Sequence, residues 1–317
     1  MPFNLKQLAH GLAPFNKKKA VDPTNLFGHG FFAPIKPKLS GELSEKFLCP
    51  PFSVLDSKSA DWKRRKRAWI GTLDIDSSAG RKQGLLSSGG QYGEATSVFD
   101  PVLAELIYRW WCPAGGQILD PFAGGSVRGI VATALRFRYW GSDISKEQVQ
   151  ENRKQASRLE LPLAPEWVIG DSRVVVPKAP LADLVFSCPP YFNLEKYSDA
   201  DDDLSAMSDY DFSVAYAGII EKSVARLKQN RFACFVVSNA RGKDGFYRDL
   251  VGLTVSAFEE VGARFYNDAV FLTPLASAAV RATRIMDGGR KLTPVHQHIL
   301  VFCKGDWKAA ATQCMTK

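Results

Sequence analysis

The sequence predicts a doubly wound α/β protein: a mostly parallel sheet with helices on both faces. Three observations carry this expectation. From Ser97 onward, short apolar runs alternate with helical stretches, the pattern of successive βαβ units. The first apolar run, Gln117–Leu119, enters a turn of small residues, Asp120-Pro121-Phe122-Ala123-Gly124-Gly125-Ser126, and then a helix. The length, 317 residues, suits one large domain plus an appendage.

Taken in order, residues 1–43 are rich in Lys, Pro, Gly and Asn without periodicity and read as a basic, extended or disordered arm. Residues 44–95 carry a Lys/Arg run and finish in a Ser/Gly-rich stretch, Ser87–Gly93, which suggests a small basic appended element or lid. The main domain is expected over 96–309, with a tail at 310–317. It opens with an amphipathic helix, Pro101–Trp111. Then follow a strand at Gln117–Leu119, a helix at Val127–Arg136, a strand at Tyr139–Asp143, a helix at Lys146–Leu159 and strands at Trp167–Gly170 and Asp183–Ser187. A helix over Asp211–Leu227 precedes a buried strand, Phe232–Ser238, and another helix, Tyr247–Val261. Arg264–Thr273 and His298–Cys303 are expected to pair as terminal strands.

Composition narrows the class. Hydrophobic residues make up 45% of the chain, ordinary for a globular protein. No apolar run approaches the roughly 20 residues of a membrane span, and Met1–Phe15 lacks the apolar stretch of a secretory signal. The expectation is a cytoplasmic protein without a membrane partner. The six cysteines are scattered, with no CxxC pair, and read as reduced, mostly buried thiols. No metal site is expected; His296 and His298, two apart on a strand, share a face and read as structural.

The net charge of +8 is unevenly placed. Lys17, Lys18 and Lys19 form one cluster. Lys63, Arg64, Arg65, Lys66 and Arg67 form another, flanked by Trp62 and Trp69. Such clusters attract phosphate backbones, and they also occur as solvated helix faces.

Four strand ends carry candidate chemistry. The small-residue turn after the first strand lets backbone approach a ligand closely, as a tight turn without a ligand also would. Asp143 closes the second strand, where an acidic residue accepts hydrogen bonds from ribose hydroxyls or caps the following helix. Asp171, in Gly170-Asp171-Ser172, is placed to accept from an adenine amino group, or it belongs to ordinary turn chemistry. The most informative stretch is Asp183-Leu184-Val185-Phe186-Ser187-Cys188-Pro189-Pro190-Tyr191-Phe192. There a buried strand ends in two prolines that leave carbonyls unpaired, followed by aromatics able to stack on a planar base.

Asp120–Ser126 resembles the cofactor motif of the amino-group DNA methyltransferases, Asp-Pro-Phe-x-Gly-x-Gly. Ser187–Tyr191 resembles their catalytic motif, Asp, Asn or Ser followed by Pro-Pro-Tyr. Ser97-Val98-Phe99-Asp100-Pro101 looks like their further cofactor motif. The resemblance spans roughly Ser97–Asp306, and Leu194–Ser198 adds a likeness to phage- and prophage-borne members. Two positions depart from the family: Ser126 replaces its last glycine, and Cys188 its Asp, Asn or Ser.

The resemblance implies a Rossmann-like S-adenosylmethionine-dependent methyltransferase fold with a seven-stranded sheet. It implies cofactor contacts from Phe99, Pro101, Asp120, Pro121, Phe122, Gly124, Asp143 and Asp171. A base flipped from double-stranded DNA would meet Cys188, Pro189, Pro190 and Tyr191, with Phe192 a second stacking candidate. The product would be N6-methyladenine or N4-methylcytosine, with adenine favoured, as in DNA modification of the restriction-modification type, in a bacterial or phage-infected cell. In that family the Cys188 position and the carbonyl of Pro189 accept the hydrogens of the target amino group. A thiol accepts weakly, so the thiolate or Ser187 would have to serve. Two alternatives follow: C5 methylation of a pyrimidine with Cys188 as nucleophile, or a DNA-binding protein without catalysis on the same scaffold. Only about 60 residues separate the two main motifs. DNA contacts are therefore expected from residues 1–95 (Lys63, Arg64, Arg65 and Arg67), from Asn193–Asp209, or from Arg281–Lys291, with Arg284 singled out.

Overall fold

The computed structural model describes residues 41–73, 99–191, 204, 207–242, 244–275 and 278–315. The arm at 1–40, Ser87–Gly93, the motif residues Ser97 and Val98, Phe192 and Leu194–Ser198 lie outside them.

The elements are α1 (Gly41–Phe47), β1 (Val54–Asp56), α2 (Ala60–Leu73), α3 (Pro101–Trp111), β2 (Gln117–Asp120), α4 (Val127–Ala134), β3 (Arg138–Asp143), α5 (Lys146–Ser157), β4 (Glu166–Ile169), the short α6 (Ser172–Val175), β5 (Ala182–Ser187), α7 (Asp209–Arg226), β6 (Leu227–Val237), β7 (Ala240–Arg241), β8 (Tyr247–Arg248), α8 (Leu250–Glu260), β9 (Ala263–Leu272), α9 (Ala278–Gly289), β10 (His296–Lys304) and α10 (Trp307–Cys314). Helix α3 shows how local sequence sets these bounds. Asp100 caps it through the amides of Val102 and Leu103, and Pro101 takes the first helical position, where no N–H is needed.

One sheet has the order β1-β9-β10-β6-β5-β2-β3-β4. Strands β2 to β6 run parallel, and β10 lies antiparallel between β6 and β9. The expected pairing of the two terminal strands is present, from His296↔Leu272 to Lys304↔Ala263. The expected count of seven strands is corrected to eight. β1 adds to the edge, parallel to β9, with Val54 opposite Val270 and Asp56 opposite Leu272. A three-residue strand has too little alternation to be seen in sequence.

Two apolar layers cover the faces. One contains Val102, Ile107, Ile130, Val149, Phe186 and Val236, the other Leu119, Val185, Phe212, Phe235, Leu250 and Phe258. Alternate residues of β5 and β6 therefore face opposite layers, as a doubly wound sheet requires. The chain reverses direction of travel across the sheet between β2 and β5, which creates a crevice at their carboxyl ends. The ends of β2 to β6 and β9, and the start of β10, share that rim.

Candidate active site

At the end of β2 the buried Asp120 carboxylate accepts hydrogen bonds from Arg128 Nε (2.6 Å), Tyr139 Oη (2.7 Å), Ser187 Oγ and the Phe122 amide (3.3 Å). Arg128, buried in α4, also donates to the carbonyls of Phe122 and Ala123. Burial works against its charge, but the Asp120 carboxylate outweighs this and holds the guanidinium above its usual pKa. Burial, and then the Asp120 charge, push the Tyr139 phenol well above its usual range, so it remains a donor. Asp120 is thus enclosed by protein donors and supports the turn from beneath. Nothing in sequence marked Arg128 as its counter-ion.

The rest of the turn is tied down residue by residue. The Pro121 carbonyl accepts from Ser172 Oγ (2.6 Å), which also pairs with Ser142 Oγ (2.8 Å). Phe122 packs against Tyr216 and Phe235. Gly124 has a left-handed φ of 51°. Its carbonyl accepts from Asn152 Nδ2 (2.7 Å), and its amide donates to Asp143 Oδ2 (2.8 Å). A Cβ on Gly141 would come within 2.9 Å of Ala123 Cβ, so the glycine lets β3 lie close under the turn.

Asp143 Oδ1 accepts from the Ser145 amide (2.9 Å), while Ser145 caps α5. The capping alternative for Asp143 therefore falls to Ser145. Asp171 caps α6 and pairs with Arg173 at 2.7 Å. Phe99 lies edge-on to Phe186, with the Arg128 guanidinium 4.8 Å from its centroid, and Pro101 is buried at the start of α3.

The loop after β5 meets this turn directly. Ser187, buried, donates to Asp120 and accepts from the Phe122 amide (3.1 Å). It joins the two loops through these bonds. Cys188 is half-buried, Pro189 buried, and Pro190 and Tyr191 half-buried. Cys188 Sγ lies 3.8 Å from Tyr191 Oη, which also accepts from Gln297 Nε2 on β10. Nothing local in the sequence marks Gln297, because its partner Tyr191 lies 106 positions away. Those histidines share a face, as expected, with ring centroids 5.4 Å apart, and His298 contacts Asp268. Burial raises the other thiols, Cys49 to about 12 and Cys314 to about 11, making them poor nucleophiles.

The basic run on α2 divides by helical period. Lys63 and Arg67 are exposed. Arg64 pairs with Asp61 at 2.7 Å, and Lys66 with Asp100 at 2.9 Å. Arg65 faces inward, 1% exposed, ion-paired with Glu105, which also accepts from Trp69 Nε1 (2.8 Å) and Arg109 (3.0 Å). Burial pushes the Glu105 carboxyl up, but Arg65 beside it, then Arg109 and Trp69, hold it below its usual value. Arg65 is therefore withdrawn as a phosphate contact, and Trp62 and Trp69 are core residues rather than stacking surfaces. Arg284 is exposed on α9. Among the described residues no group of three or more His, Cys, Asp and Glu side chains could hold a metal, and no helix is long and apolar enough to cross a membrane.

No family model and no curated protein matches the chain. Solved structures align with parts of the chain at low identity and TM-scores below 0.5. TrmN from Thermus thermophilus aligns with a TM-score of 0.44 and 15% identity, over 64% of this chain and 48% of that one, so the chain spans about half of that protein's length. Magnesium protoporphyrin IX methyltransferase (ChlM) from Synechocystis PCC 6803, with bound SAM, aligns at 0.42 and 12%, over 68% and 88%. Precorrin-6y C5,15-methyltransferase from Geobacter metallireducens GS-15 aligns at 0.42 and 13%, over 73% and 97%. The candidate chemistry rests on the residues described above.

Proposed function

We propose that this chain is an S-adenosylmethionine-dependent methyltransferase that modifies an exocyclic amino group of a base flipped from duplex DNA, N6 of adenine ahead of N4 of cytosine. One observation carries the reading: the Cys188-Pro189-Pro190-Tyr191 loop and the small-residue turn meet at the sheet's switch point, joined through Ser187 and Asp120.

The residues fit the cofactor. The left-handed Gly124 and the close approach allowed by Gly141 make a thin-walled turn, Asp143 at its edge suits ribose hydroxyls, and Asp171 and Phe122 flank it. When bound, the cofactor supplies an electrophilic methyl group on a sulfonium sulfur. The chain's own part is positional. The Pro189 carbonyl and Cys188 Sγ accept the two amino hydrogens of the base, which turns the nitrogen lone pair toward the methyl group. Tyr191, its hydroxyl anchored by Gln297, offers a fixed ring for the flipped base to stack on. Holding nucleophile and methyl in line supplies on the order of 7–11 kcal/mol without covalent catalysis. Lys63 and Arg67, exposed on α2, would take phosphate contacts.

The test is mass spectrometry of nucleosides from DNA incubated with the protein and labelled cofactor, with Cys188→Ser run alongside. Label in N6-methyladenine or N4-methylcytosine, retained or raised in Cys188→Ser because a hydroxyl accepts better than a thiol, supports the reading. Label in 5-methylcytosine, a dead serine variant and an adduct trapped on 5-fluorocytosine would establish Cys188 as a nucleophile instead. Cofactor binding without any labelled nucleoside would point to a non-catalytic scaffold.

A further inference from the structure

The rim beside the Tyr191 loop carries a feature that neither the turn nor the loop uses. β7 and β8 form a small hairpin just after β6, at the carboxyl end of the sheet. Its base is rigid: Arg248 pairs with Asp209 at the start of α7 (2.8 Å), and the Arg241 guanidinium stacks on Tyr247, 3.9 Å from the ring centroid. Its tip is also built. Gly245 takes a left-handed φ of 87°, its carbonyl accepts from Arg241 (3.0 Å), and the Phe246 amide donates to Asp244 (3.1 Å). Beside these bonds Phe246 is 74% exposed. An aromatic so exposed leaves most of its apolar surface in water.

The segment after β9 comes to the same place. Helix α9 follows the carboxyl end of β9, and only Ala278 of it is buried. From 278 to 295 the sequence has Arg281, Arg284, Arg290 and Lys291 against a single acid, Asp287. Lys291 Nζ lies against Gly245, where a Cβ would meet it. Lys291 therefore brings the basic end of α9 against the hairpin tip that carries Phe246. Neutral protein partners do not call for that charge. A polyanion with planar, stackable groups fits both parts at once.

We propose that Phe246, with Arg284, Arg290 and Lys291, forms the DNA-docking edge of the site: the cations take backbone phosphates, and Phe246 stacks on or wedges beside a base next to the flipped one. The proposal rests on the reading of the chain as acting on duplex DNA, and adds which surface holds the duplex. It gives the duplex a surface outside the roughly 60 residues between the two motifs, where no recognition domain fits.

The experiment uses the full chain and a labelled DNA duplex, with an RNA duplex of the same sequence as a second probe. Affinity is measured by fluorescence anisotropy across a salt series, and cofactor affinity by calorimetry. Arg284→Gln with Arg290→Gln should lower DNA affinity and flatten the log–log salt slope by about 1.8, roughly 0.9 per lost phosphate contact. Phe246→Ala should weaken binding about 5- to 150-fold with an unchanged salt slope, as loss of one stacked base does. Both variants should keep the parent's thermal melt and cofactor affinity. A parent that binds and methylates DNA while both variants match it in affinity and slope overturns the surface and leaves the DNA reading standing. A parent that binds neither duplex, or RNA alone, overturns both.

Discussion

Replacing Arg128 with Met tests the claim that the turn under the candidate cofactor site is held by one buried ion pair. The substitution keeps an unbranched apolar stem in α4 and removes the guanidinium. Lost with it are the 2.6 Å bond to Asp120 and the bonds to the carbonyls of Phe122 and Ala123. Asp120 keeps the hydroxyls of Tyr139 and Ser187 but has no cation, inside a site that admits no water to it. Removing one partner of a buried pair costs about 3–5 kcal/mol. At roughly 2–4 °C per kcal/mol for a domain of a couple of hundred residues, the melting temperature should fall on the order of 10 °C. Urea denaturation followed by circular dichroism gives the energy. Adding Asp120→Asn to Arg128→Met removes the orphaned charge, so the double variant should cost about 0.5–3 kcal/mol less than the sum of the singles. A cost below about 1 kcal/mol for Arg128→Met, or strict additivity, would refute the assignment of the pair as the support of the turn.

Two further outcomes are expected. Asp143→Ala, in a folded variant, should weaken cofactor binding by roughly 1.5–3 kcal/mol, the range for hydrogen bonds to a charged group; unchanged affinity by calorimetry would remove Asp143 from the site. Asp183 offers a pH test. Burial pushes its carboxyl up, but the Gln117 amide, with Lys228 and Arg231, outweighs burial and holds it below the usual value. A depressed carboxyl contributes stability above the unfolded pKa of about 3.9 and loses it as pH falls through the folded value. Asp183→Asn should therefore be less stable than the parent at neutral pH, with the gap closing only below about pH 4; a gap independent of pH would assign the effect to packing.

Much of the framework was legible in the chain because strand and helix periods are local. Helix α3 has the expected bounds, and β2, β3, β4 and β5 begin or end within one or two residues of the expected positions. The two loops were marked by residue types that backbone geometry selects: glycine where φ turns positive at Gly124, and proline after β5. Their meeting was not legible. The bridge from Ser187 to Asp120 and Phe122 joins residues 65 and 67 positions apart, and the bond from Gln297 to Tyr191 spans 106. The sign of a charge says nothing about the side it faces, so Arg65 and Arg128 read in sequence like any solvated arginine. Only tertiary packing decided that one would close on Glu105 and the other on Asp120, because a buried carboxylate must find a cation, and which cation is near depends on the whole sheet. The same packing placed β1 at the sheet edge and set Lys291 against Gly245, bringing the basic end of α9 to the hairpin tip.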